Sequence, residues 1–187
     1  IDSKDEINNA EVASNYVDGY CMGNEGLGGR YELEQLQAVI ADLKGKTNKP
    51  VTTTEQIFDY AKQSIVDLGD WVFPNIHPFL SNVYSPDKAV KWIEHYYKIL
   101  RRGTPTGKPL LFKEIGYPTK GDYRASEKKQ RDFFLLMEMS DIKFVYFEAF
   151  DQYWKRHLPV EPHWGLFDKN RRPKRFISEK IRQIEKK

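Results

Sequence analysis

The sequence predicts an α/β fold in which parallel strands are joined by helical crossovers. Three observations carry this reading. A short apolar or β-branched run is followed by a helical stretch five times over, the order that builds parallel sheets. Runs such as Leu110 to Phe112 and Phe144 to Phe147 are apolar without alternation, as strands covered on both faces are. Polar residues recur at the C-terminal ends of the strands, at Asn24, Glu25, Glu55, His77, Glu114 and Glu148. In a (β/α)8 barrel such ends converge on the catalytic face. An open doubly wound sheet is the other arrangement that fits the order. No G-x-G-x-x-G and no P-loop occur, which removes the usual nucleotide-binding arguments for the open sheet.

The elements follow in order. Residues 4–15 read as a helix. Tyr16 to Met22 reads as a strand ending in Gly23-Asn24-Glu25-Gly26. Tyr31 to Leu43 places Leu33, Leu36, Val39, Ile40 and Leu43 at helical spacing. Lys49-Pro50 introduces the strand Val51 to Thr54, which ends in Glu55. Gln56 to Leu68 reads as a helix with Ile57, Tyr60, Ala61, Ile65 and Leu68 on one stripe. Trp71 to Phe79 is strand-like and ends near His77. Pro86 to Arg102 is a helix with proline in its first turn, a common start. Leu110 to Phe112 is a strand ending in Lys113-Glu114. Ser126 to Met139 is a helix; Lys129 stands where a capping box would carry an acid. Ile142 to Phe147 is a strand ending in Glu148, and Phe176 to Ile184 is a final helix.

A chain of 187 residues suits one domain, read here as spanning 1–187, but a full barrel needs about 250. Five β/α units fit; eight do not. Hydrophobic residues at 40% and aromatics at 14% supply a core and exclude a disordered chain. No apolar run approaches the roughly 18 residues of a membrane span. A net charge of +3, with basic runs confined to Lys169–Arg175 and Glu185–Lys187, gives no clustered basic face for nucleic acid. The single cysteine, Cys21, excludes intrachain disulfides and a Cys-based zinc site, and within its apolar strand it is expected to be a small buried hydrophobe. The chain begins at Ile1 with neither Met nor an apolar signal segment, so a processed product or a piece of something longer is expected.

Carboxylates at successive strand ends are the main chemical signal. An acid among aromatics is desolvated and holds its proton to higher pH. One protonated and one ionised carboxyl are the machinery of glycoside hydrolysis. The plainer reading is that such acids cap the following helix. Aromatics are the second signal: Trp71, Phe73, Phe79, Tyr117, Phe147, Phe150, Tyr153, Trp154 and Trp164 lie on or just after strands. Most such rings pack in cores, but Trp154 and Trp164 sit in a polar loop with Asp151, Lys155 and His163. An aromatic wall with a few polar groups suits a small ligand. His77 has no second His at ligand spacing, and His95, His157 and His163 are scattered; no metal and no cofactor is expected. No G-x-S-x-G elbow marks a serine hydrolase.

Six stretches in order carry a resemblance: VDGYCMGNEGL (Val17 to Leu27), KPVTTTEQ (Lys49 to Gln56), DWVFPNIHPF (Asp70 to Phe79), KPLLFKEIGYPT (Lys108 to Thr119), FEAFDQYWK (Phe147 to Lys155) and HWGLFD (His163 to Asp168). They resemble glycoside hydrolase family 17, the β-1,3-glucanases and glucanosyltransferases, over about Lys4 to Lys174. The resemblance implies a (β/α)8 barrel and a retaining mechanism. It implies Glu25 as general acid/base, Glu114 as nucleophile, and Asn24 as the partner of the sugar 2-hydroxyl. Glu55, His77, Tyr117, Glu148, Asp151, Trp154 and Lys155 would line the cleft. The substrate implied is a β-glucan polysaccharide or oligosaccharide, and the expected location is secreted, periplasmic or at the cell surface. Set against the family, the chain is expected to lack the first three strands and to hold strands 4–8, with exposed barrel edges expected to be open to self-association. The competing expectation is a non-catalytic carbohydrate-binding or structural remnant, since a 1 Å misplacement costs about a hundredfold in rate. A third is a related retaining glycosidase acting on β-1,4 links.

Overall fold

In the computed structural model, residues 4–185 are described, and the side chains from Glu6 onward; most of the C-terminal basic run therefore lies outside the described residues. The chain divides into two units, one of residues 1–75 with 96–113, the other of 76–95 with 114–187. The architecture is α/β with parallel strand pairing.

In the first unit, β1 (Tyr20–Cys21) runs parallel to β2 (Val51–Thr52), with Tyr20 opposite Val51. The pairing continues past these short strands: Met22 N donates to Thr52 O at 2.7 Å and Glu25 N to Thr54 O at 2.9 Å. On the other side of β2, Asn75 N donates to Glu55 O and Ile57 N to Asn75 O, each at 2.9 Å. Asn75 begins β3 (Asn75–Ile76). The approach to β3 in turn pairs with the approach to β4 (Phe112–Ile115), through Val72 N to Pro109 O at 2.9 Å and Lys113 N to Pro74 O at 2.9 Å. Four parallel runs therefore lie side by side in chain order.

α1 (Lys4–Ala13) and α2 (Leu33–Thr47) cover this sheet. The stripe read from the sequence is the buried one: Leu36, Ile40 and Leu43 pack with Met22, Tyr31, Val51 and Leu68, and Ile7 and Ala10 of α1 close over them. α2 starts two residues later than its pattern suggested, because Glu32 and Gln35 form a capping box there. It ends at Asn48, whose φ of 51° is the left-handed conformation asparagine tolerates.

Two expected elements are broken. Of Tyr16 to Met22, only Tyr20–Cys21 is strand, and Ser14–Tyr16 is a 3-10 turn. Side chains alternate along it, so Met22 takes the core position and Cys21 is exposed, contrary to the buried cysteine expected. The helix expected over 56–68 is a 3-10 turn at Asp59–Ala61 followed by α3 (Gln63–Asp67). Residues 55–57 are still engaged in the sheet, and Lys62 is extended between the two turns. The stripe itself is buried as read at Ile57, Tyr60, Ile65 and Leu68.

In the second unit, Phe147 N donates to Ile115 O at 2.7 Å, joining β5 (Phe144–Tyr146) to the end of β4. Gly116 makes this approach possible: a Cβ there would lie 2.0 Å from Phe147 O. α5 (Glu127–Glu138) is capped by the Ser126 hydroxyl, which accepts from Lys129 N at 3.2 Å, and α6 (Arg175–Ile184) follows. The core holds Phe79, Ile115, Tyr117, Phe133, Met137 and Trp164. α4 (Pro86–Gly103) starts on its proline as read. Among the described residues no helix is long and apolar enough to cross a membrane.

Candidate active site

The first unit presents Asn24 and Glu25 where the run from β1 leaves the sheet. Four features fix them. Glu25 has φ of 49°, a left-handed conformation uncommon for a residue with a Cβ. Behind it, Asn75 Nδ2 donates to Glu25 Oε1 at 2.9 Å and to Asn24 Oδ1 at 3.1 Å. The Asn24 backbone carbonyl also accepts from the Arg30 guanidinium. Lys113 Nζ lies 3.3 Å from Asn24 Oδ1. With Oδ1 so occupied, the amide nitrogen of Asn24 is the group it can offer a ligand, as a donor.

Glu55 stands at the end of the β2 run but does not open onto solvent. It is fully buried, and both its oxygens are engaged. Oε1 accepts from the Tyr31 hydroxyl at 2.6 Å and the Thr53 hydroxyl at 2.9 Å. Oε2 accepts from the backbone N–H of Gly26 at 2.9 Å and of Leu27 at 3.2 Å. Glu55 thus ties down the turn that immediately follows Glu25. Burial, reinforced by the hydrogen bond to Glu55, pushes the Tyr31 phenol well above its ordinary range, so it stays a neutral donor. Burial and the neighbouring Glu55 and Glu25 charges also raise the Asp59 carboxyl.

In the second unit, His77 Nε2 approaches Glu114 Oε2 at 3.6 Å, with both side chains largely shielded. That separation is a close polar contact, longer than a hydrogen bond. The imidazole is wedged edge-on between Phe147 and Trp164, at centroid distances of 5.2 and 5.3 Å. Rings on both sides leave it little rotational freedom.

The remaining expected cleft residues fall into two groups. Glu148 and Lys155 form one polar pair, with Glu148 buried, and Trp154 lies close by in sequence. Lys155 Nζ reaches both oxygens of Glu148 at 2.9 and 3.0 Å and lies 4.4 Å from the Phe147 ring centroid, while Gln152 also donates to Glu148. Burial raises the Glu148 carboxyl, against the pull of Lys155. Trp154 is exposed and meets Tyr153 edge-to-face. Tyr117 and Asp151 are tied inward instead. The Tyr117 ring is fully buried between Phe79 and Phe133, and its hydroxyl donates to Tyr84 O. Asp151 Oδ1 accepts from Lys174 Nζ and Gly165 N, both at 2.9 Å. Lys174 is itself buried and also donates to Thr119; burial lowers its ammonium despite Asp151. A cavity of about 390 Å3 opens beside Asp151, with Lys120, Tyr153, His163 and Asn170 around it, within the size range of small-ligand sites. Trp164, read from the sequence as a loop aromatic, is buried, and Gln130 Nε2 donates to the Trp164 and Gly165 carbonyls at 3.0 and 3.1 Å.

Asn75 is the residue that sequence reasoning missed. It sits two positions before His77 in a stretch already singled out, and a polar residue inside an apolar strand is the signal that could have found it.

Known proteins resemble this chain in sequence and in fold. Residues 2–165 match the model of a BtgE/BtgC glycoside hydrolase domain. The chain is 32% identical over 163 residues to a probable beta-glucosidase btgE of Aspergillus fumigatus, covering 79% of this chain and 28% of that protein. It is 25% identical over 167 residues to a probable glucan endo-1,3-beta-glucosidase btgC of Aspergillus clavatus, covering 74% of this chain and 24% of that one. The chain thus spans less than a third of the length of these relatives. Among solved structures, an active-site mutant of Rhizomucor miehei beta-1,3-glucanosyltransferase in complex with laminaritriose superposes with a TM-score of 0.75, at 23% identity over 94% of this chain and 72% of that one. CJP38, a beta-1,3-glucanase and allergen of Cryptomeria japonica pollen, superposes with a TM-score of 0.67 at 17% identity, over 89% of this chain and 76% of that one. At these identities the two structures are similar in fold.

Proposed function

The chain belongs to the BtgE/BtgC glycoside hydrolase family, and from that premise we propose that it is a retaining glycoside hydrolase or transglycosylase acting on β-1,3-glucan. The observation that carries the proposal is the placement of Asn24-Glu25 at the end of a parallel strand, with both side chains pinned by one buried amide. Residues 1–187 would act as a catalytic domain of the (β/α) barrel type, on a polymer met outside the cell. That the relatives are named glucosidases and the structural neighbours glucanases or glucanosyltransferases supports the substrate class.

In this reading Glu114 attacks the anomeric carbon while Glu25 protonates the departing oxygen. The carbon–oxygen bond of the glycoside breaks and an ester to Glu114 forms. Glu25, now ionised, takes a proton from water or from an acceptor sugar hydroxyl, and that oxygen displaces Glu114. The double displacement requires the two carboxyls to lie about 5–5.5 Å apart. Asn24 donates from its amide nitrogen to the sugar 2-hydroxyl. His77, held by its flanking rings, orients the Glu114 carboxylate. Glu148, Lys155 and Trp154 offer hydroxyl partners and a stacking face to the glucan.

The test is sugar release or transfer from laminarin, compared with cellulose and mannan. Turnover of laminarin with β-configured first products is expected, with loss of nearly all activity in Glu114→Gln. Full-rate turnover by that variant would end the proposal. Glucan bound without turnover would establish the non-catalytic alternative instead.

A further inference from the structure

We infer that Asn75 is a positioning residue that assigns the two oxygens of Glu25 to different tasks, leaving Oε2 as the atom that carries the proton to the leaving group and retrieves it afterwards. The inference rests on the acid/base role proposed for Glu25.

Asn75 is 2% exposed. Its Oδ1 accepts from the Thr54 hydroxyl at 2.8 Å. Its Nδ2 carries two hydrogens, and two acceptors are present for them: Glu25 Oε1 at 2.9 Å and Asn24 Oδ1 at 3.1 Å. Amide orientation is settled by such a network. The flipped amide would set its oxygen against two other oxygens and face the Thr54 hydroxyl with N–H, so only one orientation satisfies every partner. The backbone is equally fixed, since Asn75 N and O are both in the parallel ladder with Glu55 and Ile57.

The consequence falls on Glu25. An oxygen that accepts a hydrogen bond from a neutral N–H is the poorer place for a proton, because that proton would point at the donor. Protonated Glu25 therefore carries its hydrogen on Oε2. When the glycosidic bond breaks, the electron pair goes to the departing oxygen, which takes the Oε2 proton; in the second step the proton of the attacking hydroxyl returns to Oε2. The same amide holds Asn24, so the proton donor and the proposed 2-hydroxyl partner share one anchor.

The test separates proton delivery from general integrity by varying the leaving group. A dinitrophenol departs without a proton, whereas a sugar needs one. For Asn75→Leu, kcat/KM on laminaritetraose is expected to fall about tenfold to a hundredfold further than kcat/KM on the dinitrophenyl β-glycoside of laminaribiose, which loses only what the loosened Asn24 contributes to both substrates. For Asn75→Asp, a second carboxylate beside Glu25 favours the protonated form, so the upper limb of the pH profile of kcat/KM moves to higher pH. Equal losses on both substrates together with an unmoved limb would overturn the inference. If Asn75→Leu does not fold, Thr54→Val, which removes only the hydroxyl that orients the amide, is expected to show the same split at smaller size; no split there overturns it equally. Glu25→Gln serves as the control on the underlying reading. Full activity of Glu25→Gln on laminaritetraose would reject the acid/base role, whereas a leaving-group split in Glu25→Gln but none at Asn75 would reject this inference alone.

Discussion

Replacing Glu55 by glutamine tests whether this side chain anchors the turn after Glu25. The carboxylate receives four hydrogen bonds in full burial, two at each oxygen. Glutamine is nearly isosteric but keeps only one oxygen. The new NH2 group must face either two backbone N–H groups or two hydroxyls. If it faces the hydroxyls, each can rotate to offer a lone pair, and the loss is smaller. If it faces the backbone, the N–H groups of Gly26 and Leu27 lose their acceptor and cannot turn away. A hydrogen bond to a charged group contributes about 1.5–3 kcal/mol, and a buried donor left alone costs at least as much. That orientation would cost about 3–6 kcal/mol, so the amide takes the other one, keeps its oxygen on the backbone N–H groups and replaces two charge-assisted hydroxyl bonds by neutral ones, at about 2–3 kcal/mol. For a chain of this size each kcal/mol moves Tm by roughly 2–4 °C, so a drop on the order of 10 °C is expected. Urea unfolding monitored by tryptophan fluorescence gives the same quantity as a shift in midpoint. Because a neutral amide oxygen holds the N–H groups of the turn after Glu25 more weakly than a carboxylate does, kcat on laminarin is expected to fall as well. A Glu55→Gln protein as stable as the wild type, yet weakened in glucan binding, would refute the anchoring argument and return Glu55 to the surface of the cleft.

Two further predictions concern the frame around the site. Asp70 accepts from Val51 N at 2.9 Å and pairs with Lys44; burial alone would raise its carboxyl, but these partners outweigh it and hold it low. Its stabilising effect is therefore fully present above the ordinary carboxylate pKa of about 3.9 and is lost as pH falls through the lower folded value. Asp70→Asn should flatten that part of the acid limb in urea midpoints measured against pH, and an unchanged limb would contradict it. Gly69 has φ of 78°, and a Cβ there would lie 2.6 Å from Val51 O and 2.7 Å from Thr52 Cα. Gly69→Ala should cost about 1–3 kcal/mol, read as a lowered Tm; an unaltered melt would show that this turn has slack.

How much was legible in the sequence follows from the range of the interactions involved. The α2 stripe and its burial were readable because helical spacing is local and the buried residues lie within about two turns. So were the strand ends, since a polar residue after an apolar run marks where the chain leaves the sheet. The helix expected over 56–68 failed because pairing of Gln56 with Asn75, far along the chain, holds its first residues extended. The buried positions of Tyr117 and Trp164 were hidden for the same reason: Gln130, distant in sequence from both, gathers their carbonyls with one amide. Composition marks an aromatic as apt for stacking on a sugar, but only tertiary contacts decide whether it faces solvent, as Trp154 does, or the core. The amide of Asn75 is the sharpest case, reaching Glu25 across 50 positions.

The central claim is tested most directly by trapping the covalent intermediate. The protein would be incubated with a 2-deoxy-2-fluoro β-glycoside of laminaribiose carrying an activated leaving group, then digested and its labelled peptide sequenced by mass spectrometry. The account predicts one glycosyl ester, on Glu114, and none in Glu114→Gln. A label on another carboxylate, or turnover of natural glucan with inversion and no trapped ester, would contradict it.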